Sequence, residues 1–321
     1  MNTPRLSVLV PVYNESQSLP GLFNALSQAL AGQAPYEIIL IDDGSHDDSF
    51  AVMCRAAAAD PAIKVLRFFH NTGQTAALQA GIDYAQGEII VTIDSDLEND
   101  PADIPRLLAK LDEGYDIVSG WRQNRWKKNR FTRRLPSLIA NQLISRITGV
   151  HLNDYGCTLK AYRSRILKQL RLYGEMHRFI PAYGAWYGAR VTEMPVGYAP
   201  RKFGRSNYGI SRTFRVLLDL LLIRFLRRYL HRPIHFFGGI GALTLALGFI
   251  AGGTSVFLKF VHLRDFVETP LPIFSALLII VGVQFILMGI LAEIMMRTYF
   301  ESQRRSSYTI RDMVNINARS N

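Results

Sequence analysis

Short apolar runs alternate with longer amphipathic stretches over the first 120 residues. Leu6 to Val10, Glu37 to Ile41, Ile63 to Phe68, Glu88 to Ile93 and Tyr115 to Ser119 are rich in Val, Ile and Leu. Such near-continuous apolar runs suit strands covered on both faces. Between them, Ser18 to Leu30, the stretch from Asp47 to Ala59, the segment ending at Tyr84, and Asp103 to Leu111 read as helices. Val191 to Val196 is a further predicted strand. Strand and helix alternate across short polar connections. The fold class expected is therefore α/β, a Rossmann-like and mostly parallel sheet with helices on both faces. Each strand ends in polar residues that can share one crevice, the usual ligand position of such sheets.

Beyond this region the pattern changes. From Trp121 to Arg134 seven basic residues follow one another with no acid between them. Leu135 to Ile147 is apolar and predicted helical, and Asn153-Asp154-Tyr155-Gly156-Cys157 is a turn. Arg201 to Gly209 is a basic loop punctuated by glycine. Arg212 to Leu230 carries Arg215, Arg224, Arg227 and Arg228 among apolar residues, as a helix at a membrane interface would. Ile234 to Leu258 and Leu271 to Ala292 contain no Asp, Glu, Lys or Arg. Each is long enough for a hydrocarbon core of ~30 Å. Arginines lie mainly outside this pair, so the positive-inside rule places both flanks in the cytoplasm. The expected organisation is a cytoplasmic domain over 1–211, a juxtamembrane helix over 212–232, a transmembrane hairpin over 233–296 and a cytoplasmic tail over 297–321.

Composition adds a constraint on partners. The 37 basic and 26 acidic residues give a net charge of +11, suited to phosphorylated substrates, an anionic membrane surface or nucleic acid. The basic residues adjoin membrane segments and lack interleaved stacking aromatics, which argues against nucleic acid. The two cysteines, Cys54 and Cys157, show no metal-ligand spacing and no disulfide framework. No signal peptide is visible at the N-terminus.

The chemistry concentrates at Ile89 to Asp100, where β-prone residues run into Asp94, Asp96 and Glu98. Carboxylates one residue apart past a strand end can reach one hard cation, Mg²⁺ or Mn²⁺, which also takes diphosphate oxygens. A solvated acidic turn is the other reading, and the cluster alone does not decide between them. An EF-hand is excluded: Asn99 and Pro105 stand where that loop needs glycine and an acid.

The ordered set Val8 to Glu15, Asp42-Asp43-Gly44-Ser45 and Asp94-Ser95-Asp96-Leu97-Glu98 resembles inverting glycosyltransferases of the GT-A fold, family 2. The Asn153 to Cys157 turn, the Phe203 to Tyr208 loop and two C-terminal apolar helices narrow the resemblance to the polyprenyl-phosphate glycosyltransferases. It implies transfer of a sugar from a nucleotide donor to polyprenyl phosphate at the cytoplasmic face of a bacterial inner membrane. Undecaprenyl phosphate is the expected acceptor, a UDP-sugar the expected donor, and cell-envelope glycan or lipopolysaccharide modification the expected use. Relatives can be tetramers. Carried over to this sequence, Pro11, Tyr13, Glu15 and Asp42 form the nucleoside wall. Asp94 and Asp96, with Glu98 where the family usually has Gln, hold metal and diphosphate. Arg122, Arg133, Ser137, Arg201 and Ser206 hold the acceptor phosphate. Asp154 lies beside the reacting centre, orienting first and acting as a base second. A polysaccharide synthase is the competing enzyme. Its Gln-x-x-Arg-Trp element is one residue short here, at Gln123 to Trp126, and precedes the Asn153 turn. An inactive, membrane-anchored nucleotide-sugar binding protein is the non-enzymatic alternative.

Overall fold

The computed structural model describes residues 4–33, 35–123, 141–142, 144–146, 148–172, 176–200, 233–261, 265–301 and 308–316. Arg133, Ser137, Arg201, Ser206, most of the basic run and the expected 212–232 helix lie outside them. The chain divides into two units, Met1–Leu220 with Ser306–Asn321, and Leu221–Arg305.

The first unit opens with β1 (Leu6–Val12), α1 (Leu19–Leu30), β2 (Tyr36–Asp42), α2 (Ser49–Ala59), β3 (Ile63–Phe68), α3 (Gln74–Tyr84) and β4 (Ile89–Thr92). It continues with α4 (Ile104–Asp112), β5 (Ile117–Trp121), β6 (Lys160–Arg163), α5 (Ser164–Leu167), α6 (Ile180–Trp186) and β7 (Val191–Pro195). A last strand, β8 (Ile310–Val314), comes from the C-terminal segment. The sheet order is β7-β5-β6-β4-β1-β2-β3-β8. The β4-β1-β2-β3 centre is parallel, as the apolar runs predicted. β6 runs antiparallel between β4 and β5, and β8 runs antiparallel on β3.

Alternate residues of the strands serve two cores, as the twofold period of a strand requires. Val8, Val10, Leu40 and Val91 pack with Leu22 and Leu26 of α1, Met53 of α2 and Leu107 of α4. On the opposite face α3 crosses Leu9 and Ile41. A Cβ on Gly81 would stand 3.1 Å from the side chains of both, so glycine lets the helix come down onto the sheet.

The second unit holds α7 (Pro233–Phe260) and α8 (Leu271–Glu301). Their apolar stretches, Phe236–Phe260 and Leu271–Ala292, are long and apolar enough to cross a membrane. Glycines let the pair cross closely: a Cβ on Gly241 would lie 2.8 Å from the Gly282 carbonyl oxygen. Ser275 Oγ donates to the Gly248 carbonyl at 2.8 Å. Large apolar side chains such as Leu243, Phe249, Ile250 and Ile273 point outward and are exposed. So much outward apolar surface suits contact with hydrocarbon.

Candidate active site

A cavity of about 820 Å³ opens at the carboxyl ends of the central strands. β1 delivers Pro11 and Tyr13 to its wall, with Glu15 just beyond. The turn after β1 is fixed by reciprocal bonds with the turn after β2. Asn14, at φ 54°, donates its backbone N–H to Ser45 Oγ at 3.0 Å, and its Oδ1 accepts from His46 N at 2.8 Å. Gly44 sits at φ 70° against the His70 backbone, where a Cβ would meet carbon at 2.5 Å. Only glycine fits that approach.

Two adjacent acids at the end of β2 take different roles. Asp42 is fully buried and does not line the cavity. Its Oδ1 accepts from Ser45 N at 2.9 Å, and Oδ2 lies 3.3 Å from Arg67 Nε. The neighbouring Asp43 lines the cavity instead, accepting from Thr72 N at 2.7 Å and Gly73 N at 2.9 Å. The family resemblance put Asp42 in the nucleoside wall, and here its carboxylate is buried away from the cavity lining. One-residue parity at a strand end decides which carboxylate faces inward, and the turn chemistry alone did not reveal it.

Asp94 and Asp96 follow β4 and both line the cavity. Gln74 Nε2 donates to Asp94 Oδ1 at 2.7 Å, and Asp96 Oδ1 accepts from Glu98 N at 3.0 Å. Burial, and then the charge of Asp96, push the Asp94 carboxyl up to about 6. Two hard carboxylates one residue apart on the cavity wall are a donor set that fits a divalent cation. Glu98 lines the same cavity. Its Oε2 lies 3.8 Å from an Arg122 guanidinium nitrogen, and no group of three His, Cys, Asp or Glu converges as a metal site among the described residues.

Arg122 lies at the end of β5, buried in the cavity wall. Its Nε donates to Asp154 Oδ2 at 2.7 Å and a terminal nitrogen donates to Oδ1 at 3.1 Å. Burial opposes the charge, but the Asp154 carboxylate outweighs it and holds the guanidinium above its ordinary value. Gly156 N also donates to Asp154 Oδ1, at 3.1 Å. Asp154 thus stands behind Arg122, outside the cavity lining. Cys157 is buried, and burial pushes its thiol up to about 11, which leaves it a packing residue.

Lys160, His177 and Arg178 line the cavity and carried no sequence signal. Gln74 and Asp43 had a weak one, lying beside polar strand ends. His177 Nδ1 lies 2.7 Å from Thr75 Oγ1, and its Nε2 accepts from Arg178 Nε at 3.4 Å. Accepting at Nε2 assigns the proton to Nδ1. Burial, then the charges of Arg178 and Lys160, push this imidazole down to about 3, so it is neutral.

A mixed sheet with an acid pair at the end of a central parallel strand, opening on a cavity lined from neighbouring strand ends, is the GT-A layout. Glucosyl-3-phosphoglycerate synthase from Mycobacterium tuberculosis, solved with Mn²⁺, UDP and phosphoglyceric acid, superposes with a TM-score of 0.55 at 19% identity. The match covers 70% of this chain and 78% of that one. Residues 7–171 match glycosyl transferase family 2. A dodecaprenyl-phosphate galacturonate synthase from Rhizobium johnstonii is 44% identical over 96% of this chain and 92% of its own. An undecaprenyl-phosphate 4-deoxy-4-formamido-L-arabinose transferase from Klebsiella pneumoniae is 38% identical over 97% and 94%. The chain belongs to glycosyl transferase family 2.

Proposed function

We propose that this protein transfers a sugar from a UDP-sugar to the phosphate of a polyprenyl phosphate, with inversion, at the cytoplasmic face of a bacterial inner membrane. The observation that carries this reading is one cavity holding both the Asp94–Asp96 pair and the Asp154-braced Arg122. The two relatives, named for dodecaprenyl phosphate and undecaprenyl phosphate, support the acceptor. The UDP and Mn²⁺ of the structural neighbour support the donor and a divalent cation, Mg²⁺ or Mn²⁺.

A phosphate oxygen of the acceptor attacks the anomeric carbon, the bond from that carbon to the donor diphosphate breaks, and the nucleoside diphosphate leaves with the electron pair. The acceptor is already an anion at neutral pH, so no strong base is required. Asp94 and Asp96 would hold the cation, which when bound offsets the charge on the leaving diphosphate. Pro11, Tyr13 and Glu15 form a wall for the nucleoside. Arg122 presents guanidinium charge to phosphate, and its fork is fixed by Asp154. A carboxylate engaged by two guanidinium nitrogens and a backbone N–H is a poor base, which favours the orienting role. Arg133, Ser137, Arg201 and Ser206 are assigned to the acceptor phosphate by resemblance.

Two apolar helices and a tail strand in the same sheet as the N-terminal strands support a hairpin that returns the chain to its starting face. Purified protein in detergent should release UDP from a UDP-sugar only when polyprenyl phosphate and Mg²⁺ or Mn²⁺ are both present. Release independent of the lipid would count against this function.

A further inference from the structure

Lys160 opens β6 directly across from Thr92 of β4, two residues before the acid pair. It is 2% exposed and lines the cavity. Its Nζ donates to the Tyr155 carbonyl at 3.2 Å, and no carboxylate lies within ion-pair distance of it among the described residues. Arg122 differs, being committed to Asp154 and facing Glu98. A buried ammonium carrying one carbonyl bond is costly unless an anion joins it. Burial already pushes this amine down to about 8. Nearby, His177 feels the charges of both Lys160 and Arg178, and its Nε2 accepts from Arg178, which orients that guanidinium. The neutral imidazole offers no charge to cancel that of Lys160.

We propose that Lys160, with Arg178 oriented by His177, forms an anion subsite for a carboxylate on the sugar being transferred, so that the enzyme selects uronosyl over neutral donors. This deepens the transferase reading and rests on it. The shared chemistry of the subsite is a small oxyanion, from either a sugar carboxylate or the acceptor phosphate. The buried position favours the sugar. A phosphate tethered to a polyprenyl chain enters from the cavity mouth, whereas the glycosyl ring hangs free of the diphosphate and reaches inward.

The test compares UDP-galacturonate with UDP-galactose, which differ only in a carboxylate against a hydroxymethyl group. Calorimetry on the full-length protein with Mn²⁺ should show the uronate bound at least tenfold more tightly. In turnover with undecaprenyl phosphate, Lys160→Gln should cut the kcat/KM ratio of uronate to neutral donor by about 10². Lys160→Arg, which keeps the charge, should retain most of the preference. Equal binding of the two donors by a wild-type protein that binds UDP would overturn the subsite and leave the transferase reading intact. So would a Lys160→Gln loss equal for both donors with a raised KM for the lipid, which would assign the cation to the acceptor. Absence of UDP binding in the wild type would remove the transferase reading and the subsite together.

Discussion

Two carboxylates at the end of β4 differ in consequence from the third. Asp94 and Asp96 share the cavity with Glu98, and the charge of Asp96 raises Asp94, while Glu98 faces Arg122 at 3.8 Å. Asp96→Asn is therefore expected to lower turnover by about 10³, whereas Glu98→Gln should cost less than about tenfold. Steady-state rates at saturating Mn²⁺ check this, and equal losses would return Glu98 to the metal set. His177 gives a residue-scale test of stability. Its folded value is about 3 against an ordinary 6.5. Between those values the unfolded chain binds the extra proton, so the neutral histidine's contribution to stability is present above 6.5 and lost as pH falls toward 3. His177→Gln should flatten the acid limb of a plot of melting temperature against pH over that window. An unchanged limb would mean that other groups set it. At this scale the acid pair stood out in the sequence as a polar cluster at a strand end, and Arg122 through the family resemblance; both line the cavity. The sequence could not show that Asp43 rather than Asp42 lines the cavity, because adjacent positions of a strand differ only in which face they meet. Lys160 was hidden, since a lysine in a four-residue strand looks like an edge charge until the neighbouring strands are known.

Among the elements, the central strands were legible because they are apolar throughout, and α1 and α4 because their apolar residues recur at helical spacing. β6 and β8 were not. Both are short and carry charged residues, and each owes its existence to a partner strand far away in sequence. β8 covers the edge of β3. Tyr308 stacks on Phe68 with ring centres 5.5 Å apart and donates its hydroxyl to Asp83 at 2.9 Å. Asn315 Nδ2 donates to the carbonyls of Ala57 and Ile63. Removing residues 308–321 would strip these contacts and leave the β3 edge unpaired, an invitation to strand pairing between molecules. The truncated protein should melt several degrees lower and aggregate on gel filtration. A monodisperse product with unchanged melting would show that β8 contributes nothing to the sheet.

At the scale of the whole molecule, the charge-free runs announced two spanning helices, and α7 and α8 follow them to within a turn at their N-terminal ends. The tail was expected to be a cytoplasmic extension, and its strand in the first unit's sheet was not foreseen. With two spans, a chain that begins and ends in one sheet must begin and end on one membrane face. The most direct measurement is mass spectrometry of the lipid fraction after incubating the full-length protein with undecaprenyl phosphate, Mn²⁺ and a panel of UDP-sugars, beside Asp96→Asn. A glycosyl monophosphate lipid formed by the wild type and absent with the variant is the expected result. A lipid product that keeps the nucleotide's phosphate, or wild-type protein that binds UDP yet yields no glycolipid from any donor, would contradict it.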